Sequence, residues 1–95
     1  MTVVKTFVYI LGCLETKRVY VGQTNHLIHR VTAHRAGKTR TTREKLKRPV
    51  VLYWETCPDR AQAMRRERQL KQGSGARWRK DMEPEWFAVF RQFHN

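Results

Sequence analysis

Cysteine is nearly missing from this chain, which removes two architectures at once. Cys13 and Cys57, far apart, are the only two in 95 residues, so neither a disulfide framework nor a cysteine-built zinc site is expected. Long apolar runs are missing as well, and with them any membrane span. No signal peptide opens the sequence, and the expected compartment is the cytoplasm. There is no internal repeat and no low-complexity tract. Acid is the last shortage: eight Asp and Glu face twenty Lys and Arg, a net charge of +12 and a pI near 10.7.

What is present follows from that imbalance. A folded domain this basic is expected to have a polyanionic partner, because each phosphate neutralised releases counterions. Charge alone fits a small ribosome-like or merely soluble basic protein as well. Thirteen of the twenty cations are arginine, which favours forked phosphate contacts over simple charge. Residues 1–95 make one domain with one core, and ten aromatic side chains are enough to build it.

The run from Thr6 to Gly12 is continuously apolar, β-branched and aromatic, which predicts a strand covered on both faces. A polar break at 14–17 leads to a second strand over 18–21, so the two form a hairpin. If Cys13 pairs with Arg18, Tyr9 stands opposite Gly22 and Leu11 opposite Tyr20. Both tyrosines then share one face, and a one-residue slip separates them. Thr24 or Asn25 is placed to cap a helix over about 25–36 that Gly37 ends. Its apolar stripe is Leu27, Ile28 and Val31, while Arg30 and His34, four apart, share another side. Pro49 opens a third strand, 50–55, and Cys57-Pro58-Asp59 leads into a helix over 60–72 that Gly73 and Gly75 end. A last helix is expected to start at Glu83-Pro84-Glu85 and to carry Trp86, Phe87, Phe90 and Phe93 as core cover. The fold class is therefore α/β in the α+β sense, a small three-stranded antiparallel sheet flanked by helices.

Two features point to chemistry. Between the first helix and the third strand, Lys38, Arg40, Arg43, Lys45, Lys47 and Arg48 crowd one loop against a single acid, Glu44. Such a loop is either a solvated surface or a phosphate contact, and six mutually repelling cations favour the second. The 60–72 helix has an inner stripe of Ala63, Met64, Glu67 and Leu70, which sets a carboxylate in the middle of an apolar face. Glu67 either pairs with Lys71 on the surface or answers a cation inside, Arg30 or a metal. One carboxylate with open positions suits Mg²⁺, which keeps several waters and takes phosphate oxygens as further ligands.

The order of these parts resembles the GIY-YIG nuclease superfamily. The first signature element reads Phe7-Val8-Tyr9 and the second Tyr20-Val21-Gly22, with ten residues between the two tyrosines. The run Tyr20, Gly22, Thr24, Arg30 and His34 is similar to that of small stand-alone members related to the N-terminal domain of the bacterial excision-repair nuclease. The segment Arg66 to Gln72 is similar to the family's metal-binding helix, and the likeness spans about residues 6–72, leaving 76–95 as a helical extension. Phe7 stands where the first signature element carries glycine, and the asparagine some members use late in the domain has no counterpart.

The resemblance implies an endonuclease that hydrolyses DNA phosphodiester bonds with one divalent metal, Mg²⁺ or Mn²⁺, in structure-selective or repair-linked work. It implies that Tyr9 and Tyr20 position or deprotonate the water, Arg30 steadies the phosphate, His34 assists and Glu67 holds the metal. Whether a tyrosine or the histidine is the general base stays open. Cations beside the tyrosines are expected to favour phenolate. The alternative is a basic nucleic-acid-binding module of the same fold that does not cut, or a subunit activated by another protein. DNA is the expected partner and no membrane is; RNA, a protein partner and a homodimer are left open by the sequence.

Overall fold

Strand β1, Thr6–Gly12, is buried along almost its whole length because it is the middle strand of the sheet. The computed structural model describes residues 5–40 and 46–93. In it β1 is followed by β2 (Val19–Thr24), α1 (Leu27–Arg35), β3 (Val50–Cys57), α2 (Arg60–Lys71) and α3 (Gly73–Phe93). The sheet order is β2-β1-β3, antiparallel throughout. The hairpin has the register predicted from its loop: Tyr9 lies opposite Gly22 and Leu11 opposite Tyr20, and the Cys13 amide donates to the Arg18 carbonyl at 3.0 Å.

Period-two alternation along β1 sends its side chains to two separate cores. Val8 and Ile10 pack with Val21, Ala63 and Leu70 under α2. Tyr9 and Leu11 pack with Leu46, and Leu27 and Val31 of α1 lie against them. The sheet is thus a middle layer between α1 on one face and α2 with α3 on the other. Leu46 was not expected: it anchors the cationic loop in the core, almost wholly buried among charged neighbours in sequence.

Several expectations are corrected. α1 is capped by neither Thr24 nor Asn25. Thr24 Oγ1 accepts instead from the His26 amide, and Asn25 Oδ1 accepts from the Thr6 hydroxyl at 2.8 Å, so both side chains tie the helix entry to the sheet. Ile28, assigned to the inner stripe, is 84% exposed. The stripe is narrower than its composition, because Leu27, Val31 and His34 already fill the line facing the sheet. Met64 of α2 is likewise exposed, at 44%, and the inner line is Ala63 and Leu70. Asp59 caps α2, its carboxylate accepting from the Gln62 amide at 2.8 Å.

The last helix begins ten residues earlier than expected, at Gly73 rather than Glu83, and Pro84 lies inside it. Gly73, at φ +61°, breaks the chain between α2 and α3, while Gly75 is helical. Arg79 explains the early start. It is buried, donates from Nε to the Leu70 carbonyl at 2.8 Å and pairs with Glu83, fastening the first turns of α3 to the end of α2. Trp86 and Phe87 do cover core, with Trp86 stacked on Tyr53 at 5.2 Å.

Candidate active site

Tyr9 is the hub of the site. Its ring is buried and reaches across β1 toward the edge strand β2, over Gly22, which has no side chain to block it. A Cβ on Gly22 would lie 2.6 Å from the Tyr9 hydroxyl and 2.9 Å from Tyr20 Cε1. The glycine of the second signature element is therefore the floor on which both tyrosines rest.

α1 supplies the roof. His34, 1% exposed, places Nε2 at 3.1 Å from the Tyr9 hydroxyl. Its Nδ1 lies 2.9 Å from the Thr39 hydroxyl. The Tyr20 ring closes the triangle, 5.4 Å from the His34 ring and 6.2 Å from that of Tyr9. Thr39 was missed by sequence reasoning, although a signal existed. Gly37, at φ +70°, turns the chain back at the end of α1, and the Lys38 amide donates to the Ala33 carbonyl, so the next residue returns beside the last helical turn.

Charge arrives from two sides. Arg30, one turn before His34 on α1, brings its guanidinium near enough to pull the Tyr9 hydroxyl toward ionisation. Glu67 comes from α2 and is near enough for its charge to oppose ionisation of Tyr9. Burial dominates: Tyr9 is pushed up to about 12, against the pull of Arg30. Arg30 pulls toward phenolate as expected, but taking the hydroxyl out of water outweighs it. His34 is moved the other way, below its ordinary value, first by burial and then by the charge of Arg30. At neutral pH the buried pair is a neutral phenol against a neutral imidazole.

Glu67 has its cation, and it is Lys71. The ammonium lies 3.1 Å from Oε1 across one turn of α2. With Met64 exposed, Glu67 sits at the margin of the buried face rather than in its middle. Among the described residues no group of three His, Cys, Asp or Glu side chains gathers, and both nitrogens of His34 are engaged. That donor set does not suit zinc, which wants three or four protein ligands. It suits a hard cation that takes one carboxylate oxygen and keeps its waters.

The cationic loop is only partly in view: Lys38, Arg40, Lys47 and Arg48 are exposed, and Arg43 and Lys45 lie outside the described residues. A second cationic surface was not anticipated. Arg65, Arg66 and Arg68 line an open hollow where α2 meets α3.

The profile of the GIY-YIG catalytic domain matches residues 5–88. This chain belongs to the GIY-YIG family. The match runs past the signature motifs through β3 and α2 into α3. UPF0213 proteins are similar to it: 39% identical over 74 residues in Desulfotalea psychrophila, covering 77% of this chain and 66% of that protein. In Staphylococcus haemolyticus the identity is 40% over 68 residues, covering 70% and 80% respectively. A solution NMR structure of a UPF0213 protein from Bacillus halodurans is 25% identical, covers 80% of each chain and superposes with a TM-score of 0.48. The GIY-YIG domain is a nuclease domain, and nucleic-acid binding goes with it. No described helix is long and apolar enough to cross a membrane.

Proposed function

We propose that this GIY-YIG chain is a divalent-metal-dependent endonuclease that hydrolyses DNA phosphodiester bonds, in structure-selective or repair-linked work. The observation carrying this reading is the buried Tyr9–His34 hydrogen bond, set between the cation of Arg30 and the carboxylate of Glu67. Folding alone gains little from a neutral phenol and a neutral imidazole held there beside two charges.

The chemistry follows from the hydrogen bonds. With the His34 Nδ1–H donating to Thr39, the Nε2 lone pair accepts the Tyr9 hydroxyl proton. The Tyr9 oxygen keeps lone pairs for a water. As that water's oxygen attacks phosphorus, its proton passes to the Tyr9 oxygen and the Tyr9 proton to His34 Nε2, so no phenolate need exist beforehand. Arg30 stabilises the charge that builds on the phosphoryl oxygens while the bond to the leaving oxygen breaks; that oxygen takes a proton from solvent, and His34 returns its own to solvent after the step. Glu67 would hold Mg²⁺ or Mn²⁺, which when bound would supply Lewis-acid polarisation of the phosphate. Tyr20 orients the water or the Tyr9 ring from its place against both rings. Lys38, Arg40, Arg43, Lys45, Lys47 and Arg48 hold flanking phosphates.

The test is a panel of nicked, flapped and branched DNA with Mg²⁺, Mn²⁺ or EDTA, for the parent and Glu67→Gln. The variant loses only its pair with half-exposed Lys71, so its stability should change by roughly 0.2–1 kcal/mol at most. It should still bind DNA and lose cleavage by orders of magnitude. Full activity of the folded variant removes Glu67 as the metal ligand. A second reading, a module that binds without cutting, is favoured by one observation: the Lys71 ammonium already occupies Glu67 Oε1. Salt-sensitive binding with no cleavage of any substrate decides for it.

A further inference from the structure

The geometry points to a second nucleic-acid contact, an aromatic seat for an unpaired nucleobase, on the opposite flank of α1 from the Tyr9 cluster. It rests on the reading of this chain as nucleic-acid-binding and names what the substrate must offer. Trp54 is directly opposite Tyr9 in the β1–β3 register, so both side chains leave the same face of the sheet. Tyr9 leans toward β2. Trp54 is left open, 54% exposed, with the edge of Phe7 against it at 6.0 Å between ring centroids. Phe7 stands where the family's first signature element has glycine, so half of this surface comes from the very position at which the chain departs from that element. His26, Ile28 and His29, from the start of α1, form the other wall of the hollow.

Three features select a base as the occupant. Among the described residues no lysine, arginine or acid lines the hollow, in a chain of net charge +12, so it offers an apolar, aromatic surface rather than a phosphate contact. Indole, phenyl and two imidazole rings are the side chains on which unpaired bases stack, whereas a duplex presents only its phosphates and sugars outward. The hollow is also one helix away from the cluster: Arg30 follows His29 on α1, and the hollow and the Tyr9 hydroxyl flank that single helix. A helix is about 10–12 Å across, close to three stacked nucleotide steps of roughly 3.4 Å. A strand whose phosphate meets Arg30 can therefore lay a nearby base on Trp54. A second copy of the chain is a poor occupant, since seven described residues line the hollow and a standard protein interface uses about 20–30 a side.

The substrate class that follows is a strand carrying an unpaired nucleotide a few positions from the cut. Affinity is measured by fluorescence anisotropy, without divalent metal, for a short labelled oligothymidylate and a duplex of the same length. Trp54→Ala should weaken single-strand binding by about five- to a hundred-fold, the loss that accompanies one stacked base. Duplex affinity and the salt slope should hold, and Trp54→Phe should recover most of the loss. Equal weakening for both probes, or none, overturns the seat. So does sedimentation showing that Trp54→Ala dissociates a dimer while single-strand affinity is kept. Because binding is read without cleavage, failure of the nuclease reading leaves a separate signature: Trp54-dependent binding in a protein that cuts nothing.

Discussion

Replacing Tyr9 by phenylalanine removes one oxygen from the centre of the site and leaves the ring where it packs. The hydroxyl touches His34 Nε2 at 3.1 Å, and both residues are at most 1% exposed, so the variant leaves a buried imidazole acceptor without its partner. That penalty is about 1–3 kcal/mol, offset in part because the phenol no longer has to be desolvated, giving roughly 1–2 kcal/mol net. At about 4–8 °C per kcal/mol for a domain of this size, the melting temperature should fall by roughly 5–15 °C. Native stability is about 5–15 kcal/mol, so the variant should remain folded. Its activity should suffer far more. Loss of the proton relay costs about 10²–10⁴ in rate, read as single-turnover cleavage of the best substrate in Mg²⁺, with DNA affinity unchanged. A folded Tyr9→Phe protein that melts lower yet cleaves at the parent rate makes Tyr9 a structural residue and moves the base to Tyr20 or His34. One that neither melts lower nor loses activity refutes the hydrogen bond as well.

Three further outcomes follow. His34 is held below its ordinary 6.5 by burial and Arg30, so its share of the stability is complete above 6.5 and is lost as pH falls through the lowered value. Tyr9, raised from 10 to about 12, contributes stability that is complete below 10 and is lost as pH rises toward 12, about 3 kcal/mol in all; melts across pH that show no loss at either end contradict the buried neutral pair. Gly22→Ala forces a Cβ to 2.6 Å from the Tyr9 hydroxyl and should cost about 1–3 kcal/mol together with activity, whereas an unchanged melt means that Tyr9 has room the structure does not show. Lys38 and Lys47, both exposed, should each bring about 0.9 to the slope of log affinity against log salt on duplex DNA. If the double alanine variant keeps the parent slope, the phosphates lie elsewhere, with the Arg65–Arg68 surface next to be tested.

Much of this frame was legible because it rests on local rules. A continuous apolar run marked β1 as covered on both faces, and the length of the hairpin loop set the register that brings Tyr9 over Gly22. Helical spacing put Arg30 and His34 on adjoining turns. The misses share a cause of a different kind. Glu83-Pro84-Glu85 has the chemistry of a helix start, and nothing local contradicts it. The contact that overrules it is Arg79 with the carbonyl of Leu70, a tertiary one. Met64 and Ile28 are apolar in helical register, yet whether such a position is inside depends on which line of the helix faces the sheet, and both side chains lie off that line.

The raised value of Tyr9 has the deepest physical reason. Sequence shows which charges lie near a phenol but not how much water surrounds it, and those two effects oppose each other. With Arg30 alone in view, the phenolate is favoured; with the ring sealed beneath α1, the neutral form wins and the hydroxyl is pushed to about 12. A phenol that keeps its proton at rest serves as a base only if that proton leaves as another arrives. The arrangement of His34, neutral, with one nitrogen on Tyr9 and the other on Thr39, meets that requirement. In the proposed mechanism the burial that disfavours a standing phenolate would make the histidine a working part of the base, and activity should then fall on the acid side, where protonation of His34 leaves the Tyr9 proton nowhere to go.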